Sequence, residues 1–254
     1  MPRPNLLNLF SWTDFEQRVL EVFRAALVLL GQESDLPRNE DPLNRRLFVC
    51  LNKANFALRR QSRGLPSPVF YECVTQPVAD DPLLSQFLWT RPDFTWGVQD
   101  DQAEDWRCAR LLFNVECKRL GAPMPAGWVF NRNYTENGIR RFEDPAHSYG
   151  RAFPSGAMVG YMQTTTPDDI LVEVNVHATR GGFPALTRSA GWTLKGVTDL
   201  DTQRFTRRTS PTQFQLHHLW MDLRHHPFAT SGVPTMPPRK RQPRPKKKPQ
   251  TPAG

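Results

Sequence analysis

The chain has 254 residues, enough for one sizeable domain or at most two small ones. Hydrophobic residues make up 39% and aromatics 11%, so a packed core is available and a wholly disordered chain is excluded. The net charge of +8 is uneven: residues 231–254 carry seven positive charges and no acid, which leaves residues 1–230 near +1. The basic balance therefore belongs to a tail. Cys50, Cys73, Cys108 and Cys117 form no CxxC pair, which argues against a zinc knuckle or a disulfide framework and for free thiols in a reducing compartment. The N-terminus lacks the pattern of a cleaved leader, and the longest apolar stretch, Ala25–Leu30, is too short for a bilayer. A soluble cytoplasmic protein is expected, with the nucleoid, or the nucleus of a eukaryote, as alternatives.

The first predicted element is a helix over Trp12–Leu30. Phe15, Val19, Val22, Phe23, Ala26, Leu27 and Leu30 recur on one face, Thr13 and Glu16 have capping-box spacing, and Gly31 suits the stop. A second helix is expected from Pro42 to about Arg60, with Asp41 as N-cap and Leu43, Leu47, Cys50, Leu51, Ala54 and Leu58 as its stripe. Pro66 and Pro68 close the helical region, and Val69–Thr75 is rich in β-formers. Strands are predicted over Asp93–Val98 and Leu111–Leu120, separated by an acidic, exposed stretch, Gln99–Asp105. A helix near Asn133–Phe142, a helix near Ser155–Met162, a strand at Ile170–His177 and a strand at Gln213–Leu219 complete the pattern. These elements imply an α/β fold, a mixed central sheet flanked by helices over residues 1–230. From Ser231 onward, seven prolines and seven positive charges in 24 residues predict a disordered tail.

The informative segments are Arg91-Pro92-Asp93-Phe94-Thr95-Trp96 and Phe113-Asn114-Val115-Glu116-Cys117-Lys118-Arg119-Leu120. On a strand, Glu116 and Lys118 share one face while Phe113, Val115 and Cys117 share the other. The second face is apolar and suits a core. The first carries an acid beside an amine, a costly placement without a metal ion or a facing carboxylate. Lysine is scarce here, with only Lys53, Lys118 and Lys195 in the first 230 residues. An exposed strand with a surface ion pair accounts for the same residues.

At these positions the sequence resembles the PD-(D/E)xK, or restriction-endonuclease-like, nucleases. Pro92-Asp93 is similar to the PD element and Glu116-Cys117-Lys118 to the (D/E)xK element, 22 residues apart, and the resemblance spans roughly residues 12–165. It implies a restriction-endonuclease-like core and a metal-dependent hydrolase of DNA phosphodiesters, possessing Mg²⁺ or Mn²⁺ and acting in restriction or defence. Asp93, Glu116 and the Cys117 carbonyl are the implied metal ligands, hard oxygens that suit such a cation. Lys118 is the implied residue that orients or deprotonates the attacking water, a task arginine, always protonated, could not share. An acid from the first helices is also implied. Glu40 is the first choice, with Glu33 and Glu16 behind it. A homodimer, or a protein partner supplying target recognition, would fit such an enzyme. The alternative is a non-catalytic nucleic-acid-binding or assembly protein on a decayed nuclease fold.

Downstream, Arg132, Asn133, Asn137, Arg140 and Arg141 would suit a phosphate backbone near the metal, or equally a solvated helix face. Gln163 is a lesser site residue. His217-His218 and His225-His226 alternate faces and lack a third ligand nearby, so structural roles are expected. Glu173 and His177 would share a face of the predicted strand. Gly181-Gly182 reads as a turn, and no Gly-rich phosphate loop or Gly-x-Ser-x-Gly elbow occurs. In the tail, Arg239, Lys240 and Arg241 offer either a sequence-independent nucleic-acid arm or a nuclear address.

Overall fold

The computed structural model describes residues 11–74, 90–99, 104, 109–122, 129–147, 149–188 and 196–228. The predicted tail, with Arg239, Lys240 and Arg241, lies outside the described residues, as do Cys108 and nearly all of Gln99–Asp105. Two long helices, α1 (Trp12–Leu30) and α2 (Glu40–Arg59), precede strands β1 (Val69–Tyr71), β2 (Phe94–Gln99) and β3 (Arg110–Leu120). A helical stretch follows, formed by α3 (Phe130–Tyr134), a π turn (Thr135–Ile139) and α4 (Arg140–Glu143). Then come β4 (Ser155–Met162), α5 (Pro167–Arg180), β5 (Val197–Asp199), β6 (Gln203–Thr206) and β7 (Gln213–Asp222).

The strands form one mixed sheet in the order β1-β2-β3-β4-β7-β5, with β6 also on β7. β1, β2 and β3 are an antiparallel meander, whereas β3, β4 and β7 run parallel. Parallel neighbours need a crossover, and the 130–143 helical stretch and α5 supply the two crossovers. One core joins α1 and α2 to Phe113, Val115, Cys117, Val159, Tyr161, Leu219 and Met221. A second core, on the other face, joins Tyr134, Ile139, Phe142, Ile170 and Val174 to Leu120, Met158, Met162, Leu216 and Trp220. The sheet is thus covered on both faces, as its parallel centre requires. Among the described residues no helix is long and apolar enough to cross a membrane.

Two predicted elements exchange type. Ser155–Met162 is not a helix but the strand β4, buried along its whole length. A strand covered on both faces has no alternation to reveal it, and its run of small and apolar residues mimics a packing helix. Gly160 fits this crowding, because a Cβ there would collide with the Leu120 side chain. Ile170–His177 is not a strand but the middle of α5. Alternating Val172, Val174 and Val176 suggested a period of two, yet the buried set is Ile170, Val174 and Ala178, four residues apart. The start signal decides it: Thr166 accepts from the Asp169 N–H with Pro167 in the first turn. Val172 and Val176 are left exposed. Glu173 and His177 still share a face, now as helical neighbours 3.9 Å apart.

Cap positions also differ. Ser11, not Thr13, caps α1, its hydroxyl accepting from the Asp14 N–H. α2 begins at Glu40, so Asp41 lies inside the first turn, and the N-cap residue Asn39 makes no capping side-chain bond. The 130–143 stretch starts three residues earlier than predicted and contains the π turn. β7 runs on to Asp222.

Glu16 does not cap α1 but anchors it to the sheet. Its carboxylate accepts from Ser155 Oγ at 2.6 Å and from Trp12 Nε1 at 3.0 Å. His217 Nε2 lies 2.6 Å from Glu16 Oε1, off the line needed for a ring N–H hydrogen bond, so that contact is electrostatic. His218 points to the opposite face, where the Tyr134 hydroxyl, itself receiving Trp220 Nε1–H, donates to its Nδ1. Burial holds His218 neutral, its imidazolium pushed down to about 3. Both histidines are structural, as expected.

Burial alone would raise the Glu16 carboxyl, but His217, Ser155 and Trp12 outweigh it and hold the group below its ordinary value. A depressed acid stabilises the fold above its unfolded pKa and loses that contribution as pH falls through the folded value. Glu16→Gln is therefore expected to cost about 1–2 kcal/mol at neutral pH. The gap to wild type should close below about pH 4, where the carboxylate protonates anyway. Thermal melts across that range check it; a deficit that ignores pH would refute the charge contact.

Candidate functional site

The face of β3 that carries Glu116 and Lys118 is not a surface. Glu116 is fully buried and Lys118 is 4% exposed. The register places Glu116 beside Met158 and Lys118 beside Gly160, and the π turn lies over them. Gly138 permits this approach: a Cβ there would collide with the Met158 methyl and come within 3.5 Å of Lys118 Cγ. A π turn inside a short helix is uncommon and often marks a functional position.

Lys118 Nζ donates to Glu116 Oε1 at 2.8 Å, to Glu40 Oε1 at 2.8 Å and to the Cys117 carbonyl at 2.7 Å. Glu40 Oε2 also accepts from the Arg119 N–H at 3.3 Å. From the residue just before β2, Asp93 Oδ2 accepts from the Cys117 N–H at 2.7 Å. Arg141, in α4, donates to Glu116 Oε1 at 2.5 Å and reaches the Tyr149 hydroxyl at 3.4 Å. Tyr149 in turn donates to the Arg91 carbonyl at 2.8 Å, tying this loop to the segment just before Asp93. The other oxygen of Glu116, Oε2, is buried without a hydrogen-bond partner.

The electrostatics follow from this packing. Burial works against the Lys118 ammonium, but Glu116, Glu40 and Asp93 outweigh it and hold the lysine above its ordinary value. The Lys118 ammonium is thus placed among its acids where it can orient a water. Burial, then the Glu116 carboxylate, pushes Asp93 well above the usual carboxylate range against the pull of Lys118 and the Cys117 N–H. Glu40 and Glu116 face Lys118 and Arg141 as ion-pair partners.

Five residues from the sequence reading, Asp93, Glu116, Cys117, Lys118 and Glu40, thus come together from three elements. Of the alternatives to Glu40, Glu33 lies 3.9 Å from Arg46 and from Lys53, and Glu16 belongs to the His217 cluster. The residues assigned to a phosphate backbone divide. Arg141 reaches the site, whereas Arg132 pairs with Glu136 at 3.7 Å and Asn137 donates to Asn133 at 2.6 Å on the exposed side. Arg140 is exposed. Gln163 is buried and donates to the Arg38 carbonyl at 2.7 Å, bracing the loop before Glu40. Sequence reasoning missed Tyr149 altogether. Its only signal was an aromatic in a loop.

As donors, the two carboxylates of Asp93 and Glu116 and the Cys117 carbonyl are hard oxygens, and the partnerless Glu116 Oε2 is a ligand atom to spare. Among the described residues, however, no three His, Cys, Asp or Glu side chains meet at ligating separations. The ammonium of Lys118 takes the place of a cation among the oxygens of Glu40, Glu116 and Cys117. No protein-family description, curated protein or solved structure matches this chain.

A raised acid favours the fold below its unfolded pKa, and that contribution is lost as pH rises through the folded value. Asp93→Asn keeps an oxygen for the Cys117 N–H and never ionises. Its melting temperature should exceed that of wild type by about 3 °C at pH 8, with the gap closing toward about pH 4. Equal melting temperatures at every pH would show that Asp93 ionises normally.

Proposed function

We propose that this chain is a metal-dependent nuclease of the PD-(D/E)xK type that hydrolyses DNA phosphodiester bonds. One observation carries the reading: Asp93, just before β2, meets Glu116 and Lys118 on β3 with Glu40 closing the cluster, all against a sheet where an isolated charge is costly. The order of elements also supports a restriction-endonuclease-like core, with two helices, an antiparallel meander, a helical crossover and a parallel β4.

In this reading Asp93, Glu116 and the Cys117 carbonyl would hold Mg²⁺ or Mn²⁺. When bound, the cation supplies an activated water and neutralises charge on the scissile phosphate. The chain's own residues do the rest. Lys118, kept protonated by its acids, orients the water and offers a positive charge to the phosphate. Arg141 pairs with Glu116 at one edge of the cluster, where a substrate phosphate can compete for its guanidinium. Glu40 fixes the Lys118 head from the opposite side.

A second reading, a non-catalytic nucleic-acid-binding or assembly protein, is favoured by the closure of the cluster on its own ion pairs. Cleavage of plasmid and linear DNA separates the two. Wild type with Mg²⁺ or Mn²⁺ should cut, chelator should abolish cutting, and Asp93→Ala and Lys118→Ala should each lower the rate by at least about 100-fold. Wild type that binds DNA and cuts none of it under these conditions would overturn the nuclease and favour the second reading.

A further inference from the structure

The helix that presents Glu40 carries a basic outer face. After the first turn, residues 42–63 hold Arg45, Arg46, Lys53, Arg59, Arg60 and Arg63 with no acid among them. All six are exposed. On α2 the buried stripe of Leu43, Leu47, Cys50, Leu51, Ala54 and Leu58 faces the core, which turns Arg45, Val49, Lys53, Phe56 and Arg60 together to the opposite side. In the middle of this basic face stand two apolar side chains that nothing covers, Val49 at 45% and Phe56 at 67% exposure. The charges are partly compensated, and Arg45 hydrogen-bonds the Tyr71 hydroxyl. Glu33 lies 3.9 Å from Arg46 and from Lys53, and Glu21 pairs with Arg63. Arg59 and Arg60 have no ion-pair partner among the described residues.

We propose that this face of α2 binds single-stranded nucleic acid and leads it toward the Glu40 end of the helix. The choice of a nucleic acid rests on the nuclease reading; the surface itself rests on charge complementarity and on Phe56. A row of cations about 22 Å long from Arg45 to Arg60 fits a run of phosphates. An unpaired strand is favoured over duplex because the duplex backbone offers nothing to an exposed phenyl ring, whereas an unpaired base stacks on it. The helical stretch at 130–143 is the weaker surface, since Arg132 and Arg141 are already paired there.

The test is fluorescence anisotropy of the full chain with a labelled single strand and a labelled duplex, in chelator, over a salt series. The triple variant Lys53→Gln, Arg59→Gln, Arg60→Gln should bind the single strand at least about tenfold more weakly at 0.15 M salt. Its salt slope should fall by about 2, at roughly 0.7 per lost phosphate contact. Phe56→Ala should weaken the single strand about fivefold and leave the duplex unchanged, and Phe56→Trp should restore it. Far-UV circular dichroism and melting temperature confirm that the variants, all at exposed positions, remain folded. Unchanged affinity and slope in the triple variant, or loss of duplex and single strand alike in Phe56→Ala, would overturn the proposal. Equal loss of polyglutamate and single-strand binding would also overturn it, as a face for acidic proteins. Chelator keeps the binding assay independent of catalysis: wild type that binds through α2 in chelator yet cuts no DNA when Mg²⁺ or Mn²⁺ is supplied refutes the nuclease alone, and wild type that cuts while the α2 variants bind as it does refutes this surface alone.

Discussion

A single ammonium group buried among oxygens organises this protein. Lys118 Nζ meets Glu116, Glu40 and the Cys117 carbonyl within 2.8 Å. Those contacts join β3 to the first residue of α2. Breaking a buried pair by removing one partner typically costs about 3–5 kcal/mol, far more than a surface ion pair contributes. The cluster is therefore a constraint on the whole fold. It sets where α2 begins, and it requires a cover that leaves room for the lysine stem.

That cover is the stretch at 130–143, and its irregularity follows from the constraint. A Cβ at position 138 would press on the Met158 methyl, a contact that Gly138 in the π turn avoids. The same geometry places Arg141 over Glu116 and brings Tyr149 to the Arg91 carbonyl. Opposite, α2 starts without a side-chain cap and is held instead from the sheet, by Lys118 and the Arg119 N–H on Glu40 and by Gln163 on the Arg38 carbonyl. The helix N-terminus is fixed from outside because its first residue is part of the cluster.

Charge is distributed with the same economy. The interior cluster pairs its acids with Lys118 and Arg141, which limits the net charge that is buried. The excess positive charge of the described body is displayed on the outside of α2, on the element that also delivers Glu40. A polyanion attracted to that face would meet the cluster at one end of the helix.

Much of this was legible in the chain itself. The periodicity of α1 and α2, the two strands bearing Asp93 and Glu116-Cys117-Lys118, and the choice of Glu40 over Glu33 and Glu16 all follow from local pattern and motif. These are features in which residue type and spacing act over a few positions. What the chain could not disclose were properties set by neighbours distant in sequence. Ser155–Met162 became a strand because both faces are covered, and coverage leaves no trace in a run of apolar residues. Ile170–His177 became a helix because Thr166 and Pro167 start one and the sheet needs a crossover, against a β-like alternation of valines. The protonation of Lys118 and Asp93 depends on three acids and two bases meeting across 101 residues of chain, from Glu40 to Arg141. Sequence marked which side chains would gather in the cluster; only the tertiary structure decided their burial and mutual distances, because these exist only once the chain is folded.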